Sequence, residues 1–313
     1  MKKHFIYTMI TAMVFSLAFV SCDKDPKEEN GITEENGVKR LVSKIETDLF
    51  YGNQVWTFKY DEQNRLTEWT INSDEDFTDV YVFEYDANNR VSRVTRSGYE
   101  EEVYTLQYVG NQIIHRFEQQ RLGYLDTIYW TLNANGQIIK RVDNSEDGHA
   151  EFTWIDDNLT LCKDVWPCEE GECHFFLHFT PSNVLNVFRH TTIPDWFWLI
   201  DEIGLYFPPG KNMASKTTIP DSDDEDYFEE LTFIYETDTA GYVTSSEIFY
   251  TGTMDDDYYG ARHLSRLANP AFPVSAAFSN ANLKSRMKRT PVRKTIDPEL
   301  LMGTMTFEYI PAK

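Results

Sequence analysis

Cys162, Cys168, Cys173, His174 and His178 form the one dense cluster of ligand-type side chains in this 313-residue chain. A structural zinc site needs four convergent nitrogen or sulfur ligands, usually in pairs two to four residues apart. No CxxC pair is present, so a metal is not the expectation here. If His174-Phe175-Phe176-Leu177-His178 is a strand, both histidines share one face with Phe176 between them, and Phe175 and Leu177 take the other. A disulfide closing a hairpin is the better reading. Sequence alone leaves Cys168–Cys173 and Cys162–Cys173 both open.

Two acidic runs, Asp221 to Asp226 and Asp255-Asp256-Asp257, invite comparison with calcium loops. The sixth position, Asp226, is not glycine, and the twelfth, Thr232, is not glutamate. They read as solvated loops, with weak calcium binding as the functional alternative. Nucleophile and phosphate motifs are missing: no G-x-S-x-G, no H-E-x-x-H and no phosphate loop. Cys173 beside His174 is not a catalytic pair, because adjacency in sequence gives no catalytic geometry. No catalytic residue and no cofactor is expected. Two carboxylates could still serve a glycosidase mechanism across a cleft.

The elements that position these residues are strands. Apolar residues alternate strictly along Trp56, Phe58, Tyr60 and along Tyr81, Phe83, Tyr85. Period two marks a strand with one buried and one wet face. A cluster of Asp, Asn and Gly follows each arm, and these residues tolerate left-handed backbone in turns. A second strand then returns. The anchors Tyr60, Tyr85, Tyr108, Leu132 and Trp154 lie about 22 to 25 residues apart, so each unit is one hairpin. The arm recurs at Leu231, Phe233, Tyr235 and at Met305, Phe307, Tyr309. No helical period intervenes, so the sheet is antiparallel. The fold class is all-β: a large up-and-down meander, barrel-like or strongly curved, with a short helical lid.

Two insertions interrupt the meander, at 181–220 and 261–296. In the first, Trp196, Leu199, Ile200, Ile203 and Phe207 have helical spacing, Asp195 could cap the helix and Pro208-Pro209 ends it. This predicts a plug or lid on the open end of the sheet. Its functional alternative is an aromatic platform for a sugar or lipid, carried by Trp196, Trp198 and Phe207. The second insertion holds Arg262, Arg266, Lys284, Arg286, Lys288, Arg289, Arg293 and Lys294 and no acid. It reads as a loop pairing with the acidic body, or as a patch for anionic glycans or headgroups.

The chain starts with Lys2-Lys3 and an apolar run from Phe5 to Val20 that ends at Ser21-Cys22. This resembles a bacterial lipoprotein signal peptide, removed over residues 1–21, with Cys22 acylated. Residues 22–38 form an acidic tether similar to the surface-export signals of Bacteroidota lipoproteins. The body is one domain over 39–313. The repeats Tyr60-Asp61…Asn64-Arg65-Leu66 and Tyr85-Asp86…Asn89-Arg90-Val91 resemble the YD repeats of secreted shell-forming proteins. Leader, size and repeats together resemble a Bacteroidota lipoprotein family of unknown function with a porin-like fold. That resemblance implies a large antiparallel barrel and carries no catalytic residues. Lys59, Glu84, Arg93 and Arg96 are expected on the outer face, which does not fit a lipid-facing band.

The net charge of −22 argues against nucleic acid as a partner. A mean hydropathy of −0.48 suits a water-soluble body. The expected protein is an outer-membrane lipoprotein, periplasmic or surface-exposed, joined to the membrane through Cys22. Its expected role is non-enzymatic binding or scaffolding, with a glycan or an envelope protein as partner. The alternative is a hydrolase of extracellular polysaccharide, which a closed and filled interior would disfavour.

Overall fold

The computed structural model describes residues 39–49, 52–73, 78–98, 101–119, 123–144, 148–168, 171–198, 206–220, 228–254, 295–296 and 300–313. The strands are β1 (Arg40–Leu49), β2 (Gly52–Tyr60), β3 (Leu66–Ser73), β4 (Thr78–Tyr85), β5 (Val91–Ser97), β6 (Glu102–Val109), β7 (Gln112–Gln119), β8 (Tyr124–Leu132) and β9 (Ile138–Asp143). They continue as β10 (His149–Ile155), β11 (Asn158–Cys168), β12 (Gly171–Leu185), β13 (Asn212–Pro220), β14 (Phe228–Thr237), β15 (Val243–Met254), β16 (Thr295–Ile296) and β17 (Leu300–Pro311). One helical turn, α1 (Asp195–Trp198), sits between β12 and β13.

From β1 to β16 each strand pairs antiparallel with the next, β15 also pairs with β17, and β17 returns to β1. Sixteen strands therefore close into a barrel, with β16 a short addition to β15. Closure leaves the ring without a free edge. The expected meander is present, and its ends meet.

The repeat has a physical cause that is visible in its turns. Asp61 Oδ1 accepts the backbone N–H groups of Gln63 and Arg65, and Asp86 does the same for Asn88 and Arg90. Asp238 serves Ala240 and Tyr242, and Asn133 serves Asn135 and Gln137. Asn64 and Asn89 take positive φ of 62° and 60°, the left-handed backbone that closes the turn. A bulge follows: Tyr60 pairs with Leu66 and Lys59 with Glu68, so Thr67 is extra. Its hydroxyl donates to the Lys59 carbonyl. Ser92, Thr160 and Thr244 repeat that bond to Glu84, Thr153 and Glu236.

The anchor of each unit locks it to the strand before. Tyr60 donates to the Val42 carbonyl, Tyr85 to Leu66, Tyr108 to Val91, Trp154 to Ile138 and Tyr235 to Ala214. Leu132 has no donor, and its unit lacks this lock.

The bulges also correct one expectation. Lys59, Glu84 and Arg93 face out, but Arg96 faces the lumen and is buried. Tyr85 pairs with Val91 and Glu84 with Arg93, so the extra residue Ser92 shifts the alternation that follows.

Outside, cross-strand partners carry opposite charge: Lys44 with Glu308, Lys59 with Glu68, Arg93 with Glu84 and Lys163 with Glu151. Inside, the wall is apolar and aromatic, with Trp69, Trp130, Ile45 and Leu66 fully buried. The outer wall thus carries paired charges, and much of the inner wall is apolar.

Chain direction gives the barrel two ends. The tight turns at 61–65, 86–90, 110–111, 133–137, 156–157 and 238–242 share one end, here the turn end. The other connections lie at the opposite, loop end. The described parts of the connection after β12, residues 186–198 and 206–211, start from the turn end and enter the lumen. Phe197 meets Trp69, Tyr81 and Phe83, while Phe207 meets Trp56, Phe188 and Phe307. The segment is pinned at the rim. Asn186 donates to the Pro208 carbonyl, Leu159 N–H to Pro209, and Thr192 accepts from the Leu66 amide. β12 and β13 extend further than the sequence suggested, so the interruption narrows to 186–211.

Candidate functional site

The turn-end half of the lumen is filled by rings. The loop-end half carries charge, in two groups. Arg96 on β5 pairs with Asp79 on β4 at 2.5 Å and with Glu102 on β6 at 3.2 Å. Tyr104 donates to the same Glu102, and Arg96 lies 5.5 Å from the Tyr81 ring centre. All three charged side chains are at least 95 % buried. Each charge has a close counter-charge, as a buried ion needs.

The second group is less well matched. Arg141 on β9 pairs with Asp143 on the same strand at 3.0 Å. Asp164 on β11 faces the same space, as do Cys162 and, from β8, Asp126. Asp143 Oδ1 and Asp164 Oδ2 are buried without a hydrogen-bond partner. Burial raises both carboxyl pKa values against the pull of Arg141. Burial likewise lifts the Cys162 thiol well above its usual range, with Asp164 adding to the effect. His115, on the neighbouring β7, is fully buried and held neutral, its pKa pushed down to about 3. Its Nδ1 accepts from Trp130 Nε1 at 3.4 Å.

This set is poor in reactive groups. A thiol with a raised pKa is a weak nucleophile. A buried imidazole already hydrogen-bonded to an indole is not poised as a base. The arrangement can hold positive charge or protons; it does not assemble a nucleophile with its base.

The residues singled out from sequence are dispersed. Cys22, with all of 1–38, lies outside the described residues, as do 221–227, 255–294 and the side chains of Trp196 and Trp198. Phe207 is 2 % exposed and is core, so it offers no platform face. The Asp195 carboxylate accepts no hydrogen bond among the described residues; the Phe197 amide is taken by the Pro194 carbonyl instead. Cys173 is in a disulfide and Cys162 is a free thiol, which removes Cys162 as its partner. The Cys168 backbone sits opposite Gly171. His174 and His178 flank Phe176 on the outer face at 6.0 and 6.2 Å, with Leu177 buried opposite. No set of three metal-ligand side chains converges among the described residues.

Both charged groups escaped the sequence reading. Arg96, Arg141 and Asp164 occupy lumen parity once the bulge residues Ser92, Ile139 and Thr160 are counted as extra, and Ile139 carries no turn-type signal.

No protein-family model matches the chain, and no curated protein matches it. Solved structures do. One is a porin-like protein from Bacteroides uniformis, with 14 % identity over 86 % of this chain and 96 % of that one, at a TM-score of 0.47. Another is a porin-like protein from Bacteroides vulgatus, with 12 % identity over 67 % of this chain and 93 % of that one, at 0.33.

Proposed function

We propose that this chain is an envelope-anchored, non-enzymatic binding or scaffold lipoprotein. In this reading the acylated Cys22 tethers it to the outer membrane, while the barrel itself stays in water and presents its loop end to a glycan or a partner protein.

The polarity of the barrel carries the proposal. A pore needs a wet lumen and an apolar outer band. Here the lumen wall packs on Phe188, Phe197 and Phe207, and the outer wall carries cross-strand ion pairs. The ring-filled turn-end half also counts against a polysaccharide hydrolase, which needs an open cleft between its carboxylates.

The test separates body from anchor. Residues 39–313 produced without the leader should be soluble without detergent and add no conductance to a planar bilayer. The full chain should fractionate with membranes, and Cys22→Ala should release it. Channel activity, or membrane retention of the Cys22→Ala chain, would overturn the proposal. A glycan array and an envelope pull-down with the soluble body then identify the partner class.

A further inference from the structure

Five adjacent strands place Trp130, Arg141, Ala150, Asp164 and Phe175 in one cross-barrel row: Trp130 opposite Arg141, Arg141 opposite Ala150, Ala150 opposite Asp164, Asp164 opposite Phe175. Ala150 is the small member. Arg141 and Asp164 stand on either side of it, two strand spacings or about 10 Å apart at the backbone. Arg141 pairs with Asp143 along β9 at 3.0 Å. Asp164 and Asp143 thus each keep one carboxylate oxygen without a hydrogen-bond partner, on side chains 94 % buried.

Such a group is costly to keep charged and unpaired. Arg141 is the guanidinium that faces Asp143 and Asp164, and Asp126 adds a further negative charge to Asp143. Trp130 and Phe152 supply ring surface beside the acids, their centroids 6.4 Å apart. Carboxylates beside aromatic rings suit an organic cation.

We propose that the space over Ala150, between Asp143 and Asp164, is an internal site for an alkylammonium group. It goes beyond the anchoring proposal and does not depend on it, since the anchor test reads membrane fractionation and this one reads amine binding to the soluble body. A free amine and a lysine side chain present the same ammonium, so the chemistry at the carboxylates is the same.

The experiment follows the thermal midpoint of the soluble body in n-butylammonium chloride, with sodium chloride at matched ionic strength as control. Wild type should show a saturable rise of about 2 °C or more, as expected for a ligand that binds only the folded state. Asp164→Asn and Ala150→Leu should abolish the rise. Asp164→Asn should itself fold and melt at or above wild type, because a buried unpaired charge is removed. An equal rise in sodium chloride, an undiminished rise in Asp164→Asn, or no rise in wild type would overturn the site. Repeating the titration with N-acetyl-lysine amide assigns the source: a response to both probes includes a lysine side chain, and a response to butylammonium alone restricts the site to free amines.

Discussion

The guanidinium of Arg65 lies 4.7 Å above the ring of Tyr85, the anchor of the next repeat. Arg90 stands over Tyr108 in the same way at 4.2 Å. Each turn therefore grips the hairpin that follows it. The same Tyr85 hydroxyl bonds back to Leu66 at 2.8 Å and meets Thr192 of the lumen segment at 2.9 Å. One side chain thus joins two hairpins and the plug.

Tyr85→Phe should cost about 1 kcal/mol, the net worth of a hydrogen bond whose acceptor is left part-buried. Arg65→Ala should cost about 0.5–1 kcal/mol through the lost ring contact. Urea denaturation of Arg65→Ala, of Tyr85→Leu, which removes the ring, and of the double variant should show coupling, since guanidinium and ring touch. Strict additivity would mean that the stacking contributes nothing.

Phe197→Ala should destabilise by about 3–5 kcal/mol, because it empties a pocket walled by Trp69, Tyr81 and Phe83. Near-ultraviolet circular dichroism should lose aromatic signal while the strand signal persists. A loss below about 1 kcal/mol would show that the segment does not support the barrel.

Burial pushes the Asp195 carboxyl up to about 6 from 3.8. An acid with a raised folded-state pKa opposes folding once it ionises. Its cost is absent below the unfolded value, grows as pH rises and is complete above the folded value. Asp195→Asn should therefore exceed wild type in stability at pH 7, by about 1–3 kcal/mol, and match it near pH 3.5. Urea midpoints across that range would show it; a difference that does not change with pH would refute it. Asp143 and Asp164 shift in the same direction through burial and add to the slope.

The partner of Cys173 is expected to be Cys168, across the β11–β12 hairpin. Alkylation of the unreduced, denatured body should label Cys162 alone. Protease fragments should join Cys168 to Cys173, and reduction should then free both. A bridge from Cys173 to any other cysteine would disprove the pairing.

Much of the barrel was legible from local chemistry. Alternation along Trp56, Phe58 and Tyr60 marks a buried strand face, and Asp61 with Asn64 marks the turn. Those signals act within a few residues, so sequence displays them. Closure was not legible, because the pairing of Ile45 with Phe307 depends on accumulated twist and tilt around the ring. Arg96 was misread for a different reason. Its parity depends on Ser92 being a bulge, and one extra residue moves every later side chain to the other face. The aromatic run near Trp196 reads as a plug or lid, with a ligand platform as the alternative, because its hydrophobicity carries no direction; Phe197 and Phe207 face the lumen wall. The Asp164 environment needed five strands in register, which no local pattern reports.

β17 supplies the contact that makes a ring of the sheet, and it follows every other described strand in sequence. Beyond it, Lys313 is held by the side-chain amide of Asn64, 249 residues away in sequence. Until those final residues are available, β1 and β15 are open edges with unpaired backbone groups. High contact order of this kind slows folding and prolongs exposure to mispairing. The ring therefore forms only once Leu300–Pro311 has been made, and a chain interrupted before Leu300 is an aggregation hazard rather than a smaller version of the same barrel.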